Sequence, residues 1–124
     1  MITQLLEGSP LKVVFDNVEE GIPSKSFRCN NNIQCALIEV KGADTIELYV
    51  SGCASDTDAE GKALLEDEDC YWVDLALIKA SDYSIVDKIE DNGLYYVNLG
   101  GMARVSLCAD TLVGTPTITL VRVE

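Results

Sequence analysis

The sharpest chemical spacing in this sequence lies in Asp56-Thr57-Asp58-Ala59-Glu60-Gly61, with Asp67 completing it. Oxygen-bearing side chains at alternate positions, a glycine at the bend and a later acid follow the spacing of a calcium loop. Alternate residues there converge on one ion while glycine permits the sharp turn. Three features oppose calcium binding. Glu60 stands where Asp or Asn is usual, Asp67 is too short for a bidentate reach, and neither flank reads as a long helix. A solvated acidic loop is the expectation. Asp56, Asp58, Glu60 and Asp67 are the candidate ligands should calcium bind, and no other cofactor is expected.

Covalent catalysis finds no support in the residue types. The 124 residues include no histidine, so Ser–His and Cys–His nucleophile pairs are excluded. No Ser-x-x-Lys stands at a recognisable helix start, and Gly100-Gly101 lacks both the lysine and the glycine spacing of a phosphate loop. Acids number 21, so almost any strand pair brings two together, and paired carboxylates carry no glycosidase signal. The chain is expected not to be an enzyme.

The five cysteines, Cys29, Cys35, Cys53, Cys70 and Cys108, include no Cys-x-x-Cys and are odd in number. Buried, reduced thiols are the expectation, with a Cys29–Cys35 or Cys53–Cys70 bridge left open. Net charge is −12, which repels phosphate backbones and anionic lipid; neither nucleic acid nor membrane is an expected partner. No basic, apolar leader opens the sequence, and no run approaches the roughly 20 apolar residues of a membrane span, so synthesis in the cytoplasm is expected. The acids Glu66 to Asp69 read as a solvated strand entrance. Tyr49, Tyr71 and Tyr95 are candidate exposed aromatics, suited either to sugar stacking or to a protein interface. Tyr95 and Tyr96 are neighbours, so at least one should face away from the core. Trp72 reads as a core anchor.

The elements that would position these residues are strands. Ile46, Leu48 and Val50 alternate with polar residues, as do Ala103, Val105 and Leu107, and then Ile118 and Leu120. This is the period of a strand with one face on a core. Leu11, Val13 and Phe15 suggest an early strand. Cys35 to Val40 and Trp72 to Ile78 are apolar at nearly every position, so they read as strands covered on both sides or carrying a bulge. Lys41-Gly42-Ala43-Asp44 reads as a hairpin turn, and Val113-Gly114-Thr115-Pro116 as the break before a final strand. The expected fold is all-β, an antiparallel β-sandwich of jelly-roll type, with a short N-terminal arm and a long acidic loop between Gly52 and Asp69. Residues 1–27 form the arm or first-strand region and 28–124 the sandwich.

From Cys35 onward the strands follow one another in a specific order. Ala36-Leu37-Ile38-Glu39-Val40-Lys41-Gly42 and Ile46-Glu47-Leu48-Tyr49-Val50-Ser51-Gly52 precede Trp72-Val73-Asp74-Leu75-Ala76-Leu77-Ile78. Gly93-Leu94-Tyr95-Tyr96-Val97, the Ala103-Arg104-Val105 strand and the Gly114-led last strand complete the order. This pattern resembles a β-sandwich domain of tailed-bacteriophage and prophage structural proteins. The resemblance implies a virion component, of capsid-decoration, head-fibre or tail-accessory type. It would be bound to the major capsid protein or another virion protein, as a homo-oligomer or lattice-bound subunit. It further implies a docking arm whose apolar contacts are Leu5, Leu6, Leu11, Val14 and Phe15. A carbohydrate-binding module using Tyr49, Tyr71 or Tyr95 is the alternative.

Overall fold

A computed structural model describes residues 12–15, 18–24, 26–29, 35–54, 57, 59–62 and 69–123. Eight strands run in the order β1 (Lys12–Phe15), β2 (Phe27–Arg28), β3 (Cys35–Cys53), β4 (Val73–Asp74), β5 (Leu77–Lys79), β6 (Ile85–Val86), β7 (Gly93–Asn98) and β8 (Arg104–Val123). No α-helix occurs among the described residues, and none there is long and apolar enough to cross a membrane. The strand pairs are antiparallel and form one sheet, ordered β1-β8-β3-β7-β5-β6, with β2 added to β8 and β4 to β3. The fold is all-β and sandwich-like.

Its spine is a ribbon of two long strands. β3 has 19 residues and β8 has 20, several times the usual strand length. They pair from Cys35↔Val123 to Cys53↔Arg104. The first half of β3 takes β7 on its other side, and the second half takes β4. β8 carries β1 along its C-terminal half and β2 along its N-terminal half. One layer therefore holds β6, β5, β7, the first half of β3, the end of β8 and β1. The other holds β4, the rest of β3, the start of β8 and β2. Inward residues of both halves share one core cluster.

Two expected turns are corrected here. Lys41-Gly42-Ala43-Asp44 is an irregular stretch within β3, and Gly114-Thr115-Pro116 lies within β8; the ladder continues on either side through register shifts. Gly42 and Gly114 adopt φ of 83° and 98°, which lets the two strands bend together. A Cβ on Gly114 would lie 3.1 Å from the Asp44 backbone nitrogen, so the bend also needs the missing side chain.

A bulge sets the phase of β8. Leu48 pairs with Ala109 but Glu47 pairs with Thr111, which leaves Asp110 as the extra residue. That insertion moves the inward set from Val105, Leu107 and Ala109 to Ile118 and Leu120, so both halves bury their apolar residues. The Trp72–Ile78 run is likewise not one strand. β4 pairs with β3 in one layer and β5 pairs with β7 in the other, so the chain crosses between layers at Leu75-Ala76. Trp72 is half-buried. The N-terminal arm (residues 1–10) lies outside the described residues, whereas Lys12–Phe15 forms the early strand.

Candidate functional site

The alternation that fills the core also dictates what faces outward. With Ala36, Ile38 and Val40 inward on β3, Leu37 must point out. On β7, Tyr95 and Val97 are buried, so Leu94 and Tyr96 point out; on β5, buried Leu77 turns Ile78 outward. The registers line these residues up. Ile85 is opposite Ile78, Ile78 opposite Tyr96, Tyr96 opposite Leu37, and Leu37 opposite Val121. The result is an apolar row across five strands, about 19 Å wide at ordinary strand spacing.

Exposure rises along that row toward the sheet edge. Val121, Leu37 and Tyr96 are half-buried, Ile78 is 40% exposed and Ile85 is 76% exposed. Leu94 and Val14 add exposed apolar surface in the next row, where Glu39 sits between them and pairs with Lys41 at 3.5 Å. β6 ends the strand order, so Ile85 occupies an edge position. Monomeric proteins seldom leave a contiguous apolar strip of this kind uncovered.

The turn joining β5 to β6 exposes a further aromatic side chain. Tyr83 has φ of 60° and is 74% exposed. For a residue with a bulky side chain the left-handed conformation is costly, on the order of 1–2 kcal/mol, and local hydrogen bonds hold it. Tyr83 N donates to Lys79 O at 2.8 Å, while Ser84 N and Oγ donate to Asp82 Oδ1 at 3.0 and 2.7 Å. Those Ser84 bonds also keep the Asp82 carboxyl below its ordinary pKa.

The outer side of the other layer is polar. Glu47 accepts hydrogen bonds from Lys88 Nζ at 2.6 Å and Thr111 Oγ1 at 2.8 Å, and the Lys88 bond is the main reason its pKa falls. Lys88 Nζ also lies 6.0 Å from the centre of the Tyr49 ring, within cation–π range. Ser51 Oγ donates to Asp74 Oδ1 at 2.9 Å. The molecule thus presents one apolar and one polar face.

Against this geometry the expected site residues sort as follows. Tyr71 is 83% exposed just before β4, and Tyr49 lies on the polar face beneath Lys88. Tyr95 is corrected: it is a core residue, and its hydroxyl donates to Asp91 O at 2.8 Å. Phe15 is corrected too, since it pairs opposite Ile118 and is buried in the core instead of projecting from an arm. Leu5, Leu6 and Leu11 lie outside the described residues, as do Asp56, Asp58 and Asp67. Glu60 is exposed, and among the described residues no group of three or more His, Cys, Asp or Glu is disposed to hold a metal. Tyr96 is the outward member of the Tyr95-Tyr96 pair that the sequence flags, whereas residue type alone does not single out Ile78, Ile85, Leu94 or Leu37. The available signal was the doubly apolar pattern of Cys35 to Val40 and Leu77-Ile78.

No protein-family model matches this sequence, and no curated protein does. A solved structure is similar: the crystal structure of SPBc2 prophage-derived protein YomS superposes with a TM-score of 0.65 at 14% identity, covering 94% of this chain and 96% of that one. Identity this low makes the likeness one of fold, and it extends over nearly the whole of both chains.

Proposed function

We propose that this chain is a structural protein of a phage or prophage particle, acting through contacts with other subunits and not through catalysis. The observation that carries this reading is the apolar row from Ile85 to Val121 on one outer face, set against a polar opposite face. Such a face is stabilised when another surface removes it from water, by about 25 cal/mol per Å² of apolar area covered. The fold likeness to a prophage-derived protein supports a phage or prophage origin for the chain. In its finer form the reading is a capsid-decoration or head-fibre-type subunit, made in the host cytoplasm and held on the virion. The apolar face packs on the major capsid protein, another virion protein or a second copy, and the acidic remainder faces solvent.

The sugar-platform alternative loses ground on two residues. Tyr95 is buried, and Lys88 lies over the Tyr49 ring.

Proteomics of purified particles tests the proposal. Particles released from the strain that encodes this chain are banded on a density gradient and quantified. The chain is expected to band with them in a fixed ratio to the major capsid protein. Recovery only from the soluble lysate overturns the reading.

A further inference from the structure

The connection from β3 to β4 has a buried cysteine near each end: Cys53 is the last residue of β3, and Cys70 precedes β4. Antiparallel pairing of Ser51 with Asp74 and Gly52 with Val73 brings the two segments side by side, and Leu75 N donates to Val50 O at 2.8 Å. Cys70 lies close enough to Cys53 to interact with its thiol and help raise that thiol's pKa. Packing leaves little slack beside them, since a Cβ on Gly52 would lie 2.8 Å from Met102 Sδ.

We propose that Cys53 and Cys70 form a reversible disulfide when the chain meets a small-molecule disulfide such as oxidised glutathione, clamping the 54–69 connection. Cys70 is the less deeply buried, at 8% exposure against 1% for Cys53, and reacts first. Its thiolate attacks one sulfur of oxidised glutathione, the glutathione S–S bond breaks, and one glutathione thiolate leaves. The Cys53 thiolate then attacks the Cys70 sulfur and displaces the second glutathione. Two electrons pass from the protein thiols to glutathione, and the two thiol protons end on the two released glutathiones.

The other thiols are placed for different fates. Cys29 N donates to Ala103 O and Ala103 N donates to Cys53 O, so β8 lies between Cys29 and Cys53. Two strand spacings, about 9–10 Å, exceed the roughly 7 Å Cα limit of a disulfide. Cys35 lies in the other layer, opposite Val123, and Cys108 is paired with Tyr49 in the interior of β8. Burial pushes the Cys53 thiol up to about 11, with the neighbouring Cys70 adding to the shift. Oxidation is therefore slow near neutrality and faster as pH rises.

The test uses the full chain, purified with reductant and then incubated with oxidised glutathione at about pH 9, where more thiolate is present. The expected product has lost two hydrogens, yields a peptide joining Cys53 to Cys70, and leaves the other three cysteines open to alkylation. Its melting temperature rises by roughly 5–10 °C, and reductant reverses the change. Cys70→Ala is expected to show neither the cross-link nor the rise. Should that variant not fold, the peptide map of the parent chain decides alone. A bridge between any other pair, a persistent glutathione adduct at Cys70, or five alkylatable thiols after incubation overturns the proposal.

Discussion

Ile78 and Ile85 stand directly opposite each other on the last two strands of the sheet, and both side chains face solvent. Nothing in the core depends on them, so replacing both by lysine tests the apolar face without dismantling the fold. The double variant is expected to change unfolding free energy by no more than about 0.5 kcal/mol per site and to lose association with particles. Paired urea melts and gradient sedimentation check both halves of that statement. Unchanged association would remove this face from the interface.

Tyr95→Phe keeps the ring and removes the hydroxyl that donates to Asp91 O. The expected loss is about 1 kcal/mol, the usual net worth of such a bond. Tyr95→Ala should cost about 3–5 kcal/mol because it also leaves a core cavity. Urea unfolding of both variants against the parent measures the two losses, and a Tyr95→Phe chain as stable as the parent would mean that the hydroxyl contributes nothing.

Gly52→Ala should destabilise by about 1–3 kcal/mol, because the new methyl meets Met102 Sδ and Leu75 Cδ1 at 2.8 and 3.1 Å. Both contacts are with side-chain ends, so the strain is coupled to the neighbour. Combining Gly52→Ala with Met102→Ala should cost less than the sum of the two single changes, which a double-mutant cycle reads directly.

Acid should weaken the polar face. The Glu47 pKa is lowered in the folded chain by its bonds from Lys88 and Thr111, so its stabilising effect is fully present above the unfolded-state pKa. That effect is lost as pH falls below about 4.5 and through the folded-state value. Glu47→Gln should flatten this part of the melting-temperature profile, and added salt should shrink the contrast between variant and parent. An identical acid slope in the two proteins would contradict the assignment.

Thr119 presents a different case. Its Oγ1 is buried without a hydrogen-bond partner among the described residues. Thr119→Val retains the shape and removes the unsatisfied hydroxyl, so stability should rise, by about 1 kcal/mol. Thermal melts of the two chains provide the comparison.

The sequence by itself determined the class of the fold and most of the inward rows. Ile46, Leu48 and Val50, then Val105 and Leu107, then Ile118 and Leu120, all face the core as their alternation requires, because the two-residue period of a strand is a local property of the chain. Tertiary structure decided everything that depends on phase and pairing between distant segments. The Asp110 bulge, the continuity of β3 through Lys41–Asp44, and the split of Trp72–Ile78 between layers each follow from which strand lies alongside. Adjacent Tyr95 and Tyr96 show the limit most plainly. Alternation demands that they point opposite ways, but only the pairing of β7 with β3 and β5 sends Tyr95 into the core and Tyr96 onto the apolar face.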